Sequence, residues 1–169
     1  MNTSTILISI LLILAIFVPF FILNNSGKGG LKMISKKIKE IAKEDRLKFD
    51  LKESWGNSII AIDKTQKVLV FSKIVNDGVI VEKIALDEVG KSTIQKKLVP
   101  ERSNTGNSNV LQKLNLEITF SNHQKETLVL NFYDIDDSYA EDYEMQRAEK
   151  WNTVINETAK AASIGKKVA

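Results

Sequence analysis

The chain has 169 residues, with 24 Lys and Arg against 21 Asp and Glu, one His and no Cys. One His without Cys rules out Cys-His catalysis and starves the usual zinc ligand sets. The net charge of +3 is unevenly placed, because residues 24–46 hold 7 basic and 3 acidic residues and residues 47–169 hold 17 basic and 18 acidic, so the body of the chain lacks the clustered cations of a nucleic-acid surface.

Thr5 to Leu23 is an apolar run with no charge in it or before it. As a helix rising about 1.5 Å per residue it is about 30 Å long, the depth of a bilayer core. Residues 1–23 are therefore expected to form a retained single-pass transmembrane anchor, since the start Met1-Asn2-Thr3-Ser4 lacks the positive charge of a signal peptide and no small-x-small site follows. Basic residues lie only after the span, which predicts an inner (cytoplasmic) membrane protein with its N-terminus outside and its C-terminal domain in the cytoplasm.

Residues 24–46 read as a flexible Gly-rich exit, Asn24 to Gly30, followed by a basic amphipathic juxtamembrane helix. Leu31, Ile34, Ile38 and Ile41 recur at helical spacing, with Lys32, Lys36, Lys39 and Lys43 on the other side. Three uses of that helix stay open. Lys32, Lys36, Lys37, Lys39 and Lys43 are candidate contacts to anionic lipid headgroups; the apolar stripe packs on the domain; or residues 31–46 self-associate.

From Leu47 the period changes to alternation, and residues 47–169 read as one β domain with a C-terminal helix at about 138–164. Leu47, Phe49 and Leu51 suggest a first strand ending at a turn over Ser54 to Asn57. Ile59 to Ile62 and Lys67 to Ser72 make a hairpin across Asp63 to Gln66, and Val79 to Ala85 and a weaker strand from Val89 to Leu98 follow. Residues 100–109 have the polar composition of an exposed loop. Leu114, Leu116, Ile118 and Phe120 then alternate with polar residues, and Thr127 to Tyr133 returns as their hairpin partner. Ser138 and Glu141 form a capping-box pattern at the head of the last helix, whose buried stripe is Ala148, Trp151, Ile155, Thr158 and Ala162. Trp151 and Ile155, with Leu116, Ile118 and Phe120, are the expected centre of the core.

About seven antiparallel strands and one C-terminal helix with a central Trp give an α+β class. The Ile59–Ser72 hairpin, the Lys83–Val89 segment, the Leu114–Tyr133 hairpin and the Trp151 helix together resemble the pleckstrin-homology superfold over about residues 47–163, in a bacterial membrane-anchored form. That resemblance implies a PH-like antiparallel barrel or sandwich capped by the helix.

No nucleophile-base pair stands out, so no catalytic residue, cofactor or metal site is assigned and no enzymatic activity is expected. His123 falls in a predicted turn and reads as solvated. Asp134, Asp136, Asp137, Glu141 and Asp142 are dense in carboxylate, but Tyr139 and Met145 occupy the positions where a calcium loop needs Gly and Glu. The functional expectation is a non-enzymatic, membrane-anchored interaction module, an accessory or scaffolding subunit of a membrane-protein complex, with no nucleic-acid partner. The alternative is a sensor of anionic membrane surface acting through the basic helix.

Overall fold

The structure, a computed structural model, describes residues 28–76, 78–103, 106–137 and 143–168. Helix α1 (Lys28–Glu44) leads into strands β1 (Leu51–Trp55), β2 (Ser58–Asp63), β3 (Val68–Val75) and β4 (Gly78–Ala85). Strands β5 (Val89–Ser103), β6 (Gly106–Phe120) and β7 (Leu128–Asp134) follow, and helix α2 (Glu144–Val168) ends the described chain. All pairings are antiparallel; β1-β2-β3-β4 form one sheet and β5-β6-β7 the other.

The four-stranded sheet is covered on both faces, which is why β2 reads Ser-Ile-Ile-Ala-Ile-Asp with every residue buried. Ile60, Ile62, Leu69 and Phe71 face the main core with Leu114, Leu116, Ile118, Leu130, Trp151 and Ile155. Ile59 and Val70 point the other way, onto Ile34 and Ile38 of α1. Each isoleucine buried in that second core stabilises by about 1.5–3 kcal/mol. Gly30 lets α1 approach closely, because a Cβ there would stand 2.5 Å from Ile74 Cδ1. The helix ends in a Schellman motif: Leu47 N–H donates to the Ala42 carbonyl at 2.8 Å, and Arg46 takes φ 53. Leu47 then packs beside Ile41 and Ala42.

Helix α2 lies on the three-stranded sheet through Ala148, Trp151, Ile155, Ala159 and Ala162, all buried. It is fastened twice. Glu53 of β1 accepts from Arg147 Nε, Lys150 Nζ and Trp151 Nε1, each at 2.9 Å. Further along, the Asn156 amide accepts from Ser92 N–H and donates to the Ser92 carbonyl, both at 2.9 Å, so it pairs with the outer edge of β5 as a strand would.

Several expectations are corrected. Among the described residues no helix is long and apolar enough to cross a membrane; α2 has 25 residues but carries Arg147, Glu149, Lys150, Glu157 and Lys160, which hydrocarbon does not accommodate. Residues 1–23, on which the anchor was read, lie outside the described residues. The single-pass anchor, the N-out topology and inner-membrane localisation, and the accessory-subunit reading built on them have no structural carrier. In place of an anchored PH-like barrel the described residues form two helices and two antiparallel sheets, of four and three strands, with α1 on the outside of the larger sheet. Leu47 and Phe49 form no strand; they join the α1 side of the sheet, and β1 starts at Leu51. The Gly-rich exit is already helical from Lys28. Residues 100–109 are mostly strand, with pairing carried to Ser103 opposite Gly106. Pro100 is tolerated there because, among the described residues, β5 is an edge strand that pairs only with β6. The capping pair Ser138 and Glu141 lies outside the described residues, and α2 begins at Glu144.

Candidate functional site: a groove between two sheet edges

Among the described residues β4 pairs only with β3 and β7 only with β6, so each sheet ends in an edge. The two edges face one another across a cleft of about 550 Å³ whose walls come from β3 and β4 on one side and β6 and β7 on the other. A second cleft of about 310 Å³ continues past Ile84, Phe120 and Leu128, and the two meet at Glu82. Trp55, Phe71 and Phe132 support the floor: Trp55 and Phe132 have ring centroids 4.9 Å apart, Phe71 stacks on Phe132 at 6.0 Å, and Trp55 Nε1 donates to the Phe132 carbonyl at 3.0 Å.

Alternation places Lys73 on the inward face of β3, two residues beyond Phe71. Only 5% of it is exposed. Its ammonium forms an ion pair with Asp137 at 2.8 Å and donates to Asn131 Oδ1. Asn131 Nδ2 donates onward to Asn115 Oδ1 at 2.8 Å and to the Tyr133 carbonyl at 3.1 Å. Beside this chain Lys113 pairs with Asp134 at 2.7 Å. Burial opposes ionisation of Asp134, but the hydrogen bond from Lys113, the Asp136 N–H and the charges of Lys113 and Lys73 outweigh it and hold the carboxyl below its ordinary range. The same partner raises Lys113. Thus both lysines are spent on acids of the same cleft.

Beside the exposed Asn76 and the partly exposed Lys113 and Asp137, two apolar side chains and one further carboxylate stay open. Ile80 on the β4 side is 46% exposed and Val129 on the β7 side 49%. The Glu82 carboxylate, between them and Ile84, makes no side-chain hydrogen bond or ion pair with another described residue. The groove therefore offers two apolar contacts, a satisfied polar floor, two strand edges and one uncompensated carboxylate.

The residues singled out from sequence lie elsewhere. Lys32, Lys36, Lys37, Lys39 and Lys43 are all exposed on α1; Lys32 borders β1, and Lys37 lies 3.8 Å from Glu40. Because Ile34 and Ile38 are buried on the sheet, the apolar stripe is spent within the chain rather than left for a bilayer or a second copy. Trp151, Ile155, Leu116, Ile118 and Phe120 are buried in the main core. His123 is exposed in the β6–β7 connection. Of the acidic cluster, Asp134 and Asp137 answer Lys113 and Lys73, while Glu141 and Asp142 lie outside the described residues. Apart from Asp134 and Asp137, which stand out in the sequence only as part of an acidic run, the groove residues escape a local reading because they belong to four strands; the other local signal is Lys73, a cation inside the apolar stretch Val68 to Val75.

Comparison with protein-family models, with curated proteins and with solved structures finds no match, so the pleckstrin-homology resemblance has no support from relatives.

Proposed function

We propose that this chain is a non-enzymatic interaction module that binds an extended segment of a protein partner in the groove between β4 and β7. The observation that carries the reading is the pairing of half-exposed Ile80 and Val129 across a cleft whose lysines are already neutralised. Recognition grooves combine apolar walls with a few fixed polar groups, and open strand edges supply main-chain hydrogen bonds to an added strand. Glu82 adds the charge preference. The segment that fits carries an apolar side chain for Ile80 and Val129 and a Lys or Arg for Glu82.

The test is affinity purification of the full chain beside its Ile80→Arg and Glu82→Lys variants. One stoichiometric protein partner, retained by the wild type and lost from both variants while their thermal unfolding stays unchanged, is the expected result. A partner recovered equally by all three, or none recovered by the wild type, would overturn the proposal.

A further inference from the structure

On the opposite face of the four-stranded sheet, where α1 passes the β1 edge, lies a separate cleft of about 300 Å³ lined by Leu31, Lys32, Ser35, Lys52, Ser54 and Ile59. Its composition follows from two periodicities. Lys32 and Ser35 are three apart on α1 and share a helix face. Lys52 and Ser54 alternate with Leu51, Glu53 and Trp55 on β1, so they face α1 while Trp55 enters the main core and Glu53 reaches α2. Ile59 sits opposite Ser54 in the β1–β2 register.

Lys32, Ser35, Lys52 and Ser54 thus line one cleft beside the apolar Leu31 and Ile59, and among the described residues no carboxylate lines it. None of the four polar side chains makes a hydrogen bond or ion pair with another described residue. In this the cleft is the reverse of the β4–β7 groove, where every lysine is answered by an acid. Two lysines on one cleft without a counter-charge suit an anion, and ammonium and hydroxyl donors along the same walls suit the oxygens of a phosphoryl group. Leu31 and Ile59 leave room beside those oxygens for the carbon skeleton of an ester. We infer that this cleft binds the phosphoryl group of a small phosphomonoester, with Lys32 and Lys52 pairing its charge, Ser35 and Ser54 donating to its oxygens, and Leu31 and Ile59 against its organic part. The exposed lysines make the affinity modest and salt-dependent.

The test is titration of the isotope-labelled full chain with phenyl phosphate and, separately, with inorganic phosphate, following the backbone amides of Ser35, Ser54 and Ile59. Saturable shifts at these positions with phenyl phosphate, tighter than with inorganic phosphate, are expected. In Lys32→Gln/Lys52→Gln the affinity falls at least about tenfold, the scale of losing two charge-assisted contacts. Lys37→Gln/Lys39→Gln, which removes the same charge from α1 outside the cleft, leaves it unchanged. Equal weakening in both double variants would reduce the effect to general charge attraction and overturn the site, as would the absence of saturable shifts. Inorganic phosphate binding as tightly as phenyl phosphate would overturn the ester assignment.

Discussion

Three carboxylates show how single side chains fix this structure. Asp63 is 1% exposed at the β2–β3 turn, where its oxygens accept from Lys48 N–H at 2.6 Å and Gln66 N–H at 2.8 Å. Burial works against its charge, yet the N–H groups of Gln66, Lys48 and Thr65 prevail and hold it below its ordinary 3.8. Burial likewise opposes Glu53, and its bonds to Lys150, Trp151 and Arg147 hold it below 4.5. Asp134 is lowered in the same sense. A carboxyl lower in the folded than in the unfolded chain stabilises fully above its unfolded value and loses that contribution as pH falls through the folded one. Stability is therefore expected to be level down to about pH 5 and to decline below about pH 4.5. Asp63→Asn lowers stability at neutral pH and flattens part of that decline, as urea unfolding across this range will measure; an unchanged slope would contradict the role given to Asp63. Lys73 has the same local character, since only its partners Asp137 and Asn131 make its burial tolerable.

At the scale of elements, the helix ends and strand faces carry the predictions. Arg46 holds φ 53 at the close of α1 without the freedom of glycine, so Arg46→Gly is expected to raise stability by about 0.5–1 kcal/mol in chemical unfolding. A loss would mean that the Arg46 side chain contributes more than its backbone strain costs. Trp151→Ala is expected to cost about 3–5 kcal/mol, because the ring is wholly buried and its Nε1 bond to Glu53 goes with it. These elements were legible in the chain to the extent that one periodicity governed them. Leu114 to Phe120 alternate and are buried in alternation, and Ile34 and Ile38 repeat at helical spacing and are buried together. Elsewhere two structures share one pattern. Leu47, Phe49 and Leu51 alternate like a strand, but the first two belong to the cover of α1 and only the third begins β1. Residues 100–109 carry no apolar alternation, so their sequence reads as loop while the backbone continues the ladder to Ser103 opposite Gly106. Trp55, at the end of a strand, was hidden by the turn residues Gly56 and Asn57 that follow it.

At the scale of the whole molecule, two sheets that share a core leave the β4 and β7 edges apart, and the groove exists only in that arrangement. No sequence window contains Ile80 with Val129, or Lys73 with Asn131 and Asp137, so the candidate site was illegible where the core was partly legible. The same assembly divides the charge, with paired lysines in the groove and, beside α1, Lys32 and Lys52 without an acid partner among the described residues. On the function proposed above, the β4–β7 groove recognises an extended segment through Ile80, Val129 and Glu82. Selection of peptides from a random displayed library, run in parallel on the wild-type chain and on Glu82→Lys, tests it most directly. Peptides enriched on the wild type are predicted to place an apolar residue near a Lys or Arg, to lose binding to Ile80→Arg, and to give way to acidic peptides on Glu82→Lys. Enrichment of the same peptides on both proteins, or of none on the wild type, would contradict the claim.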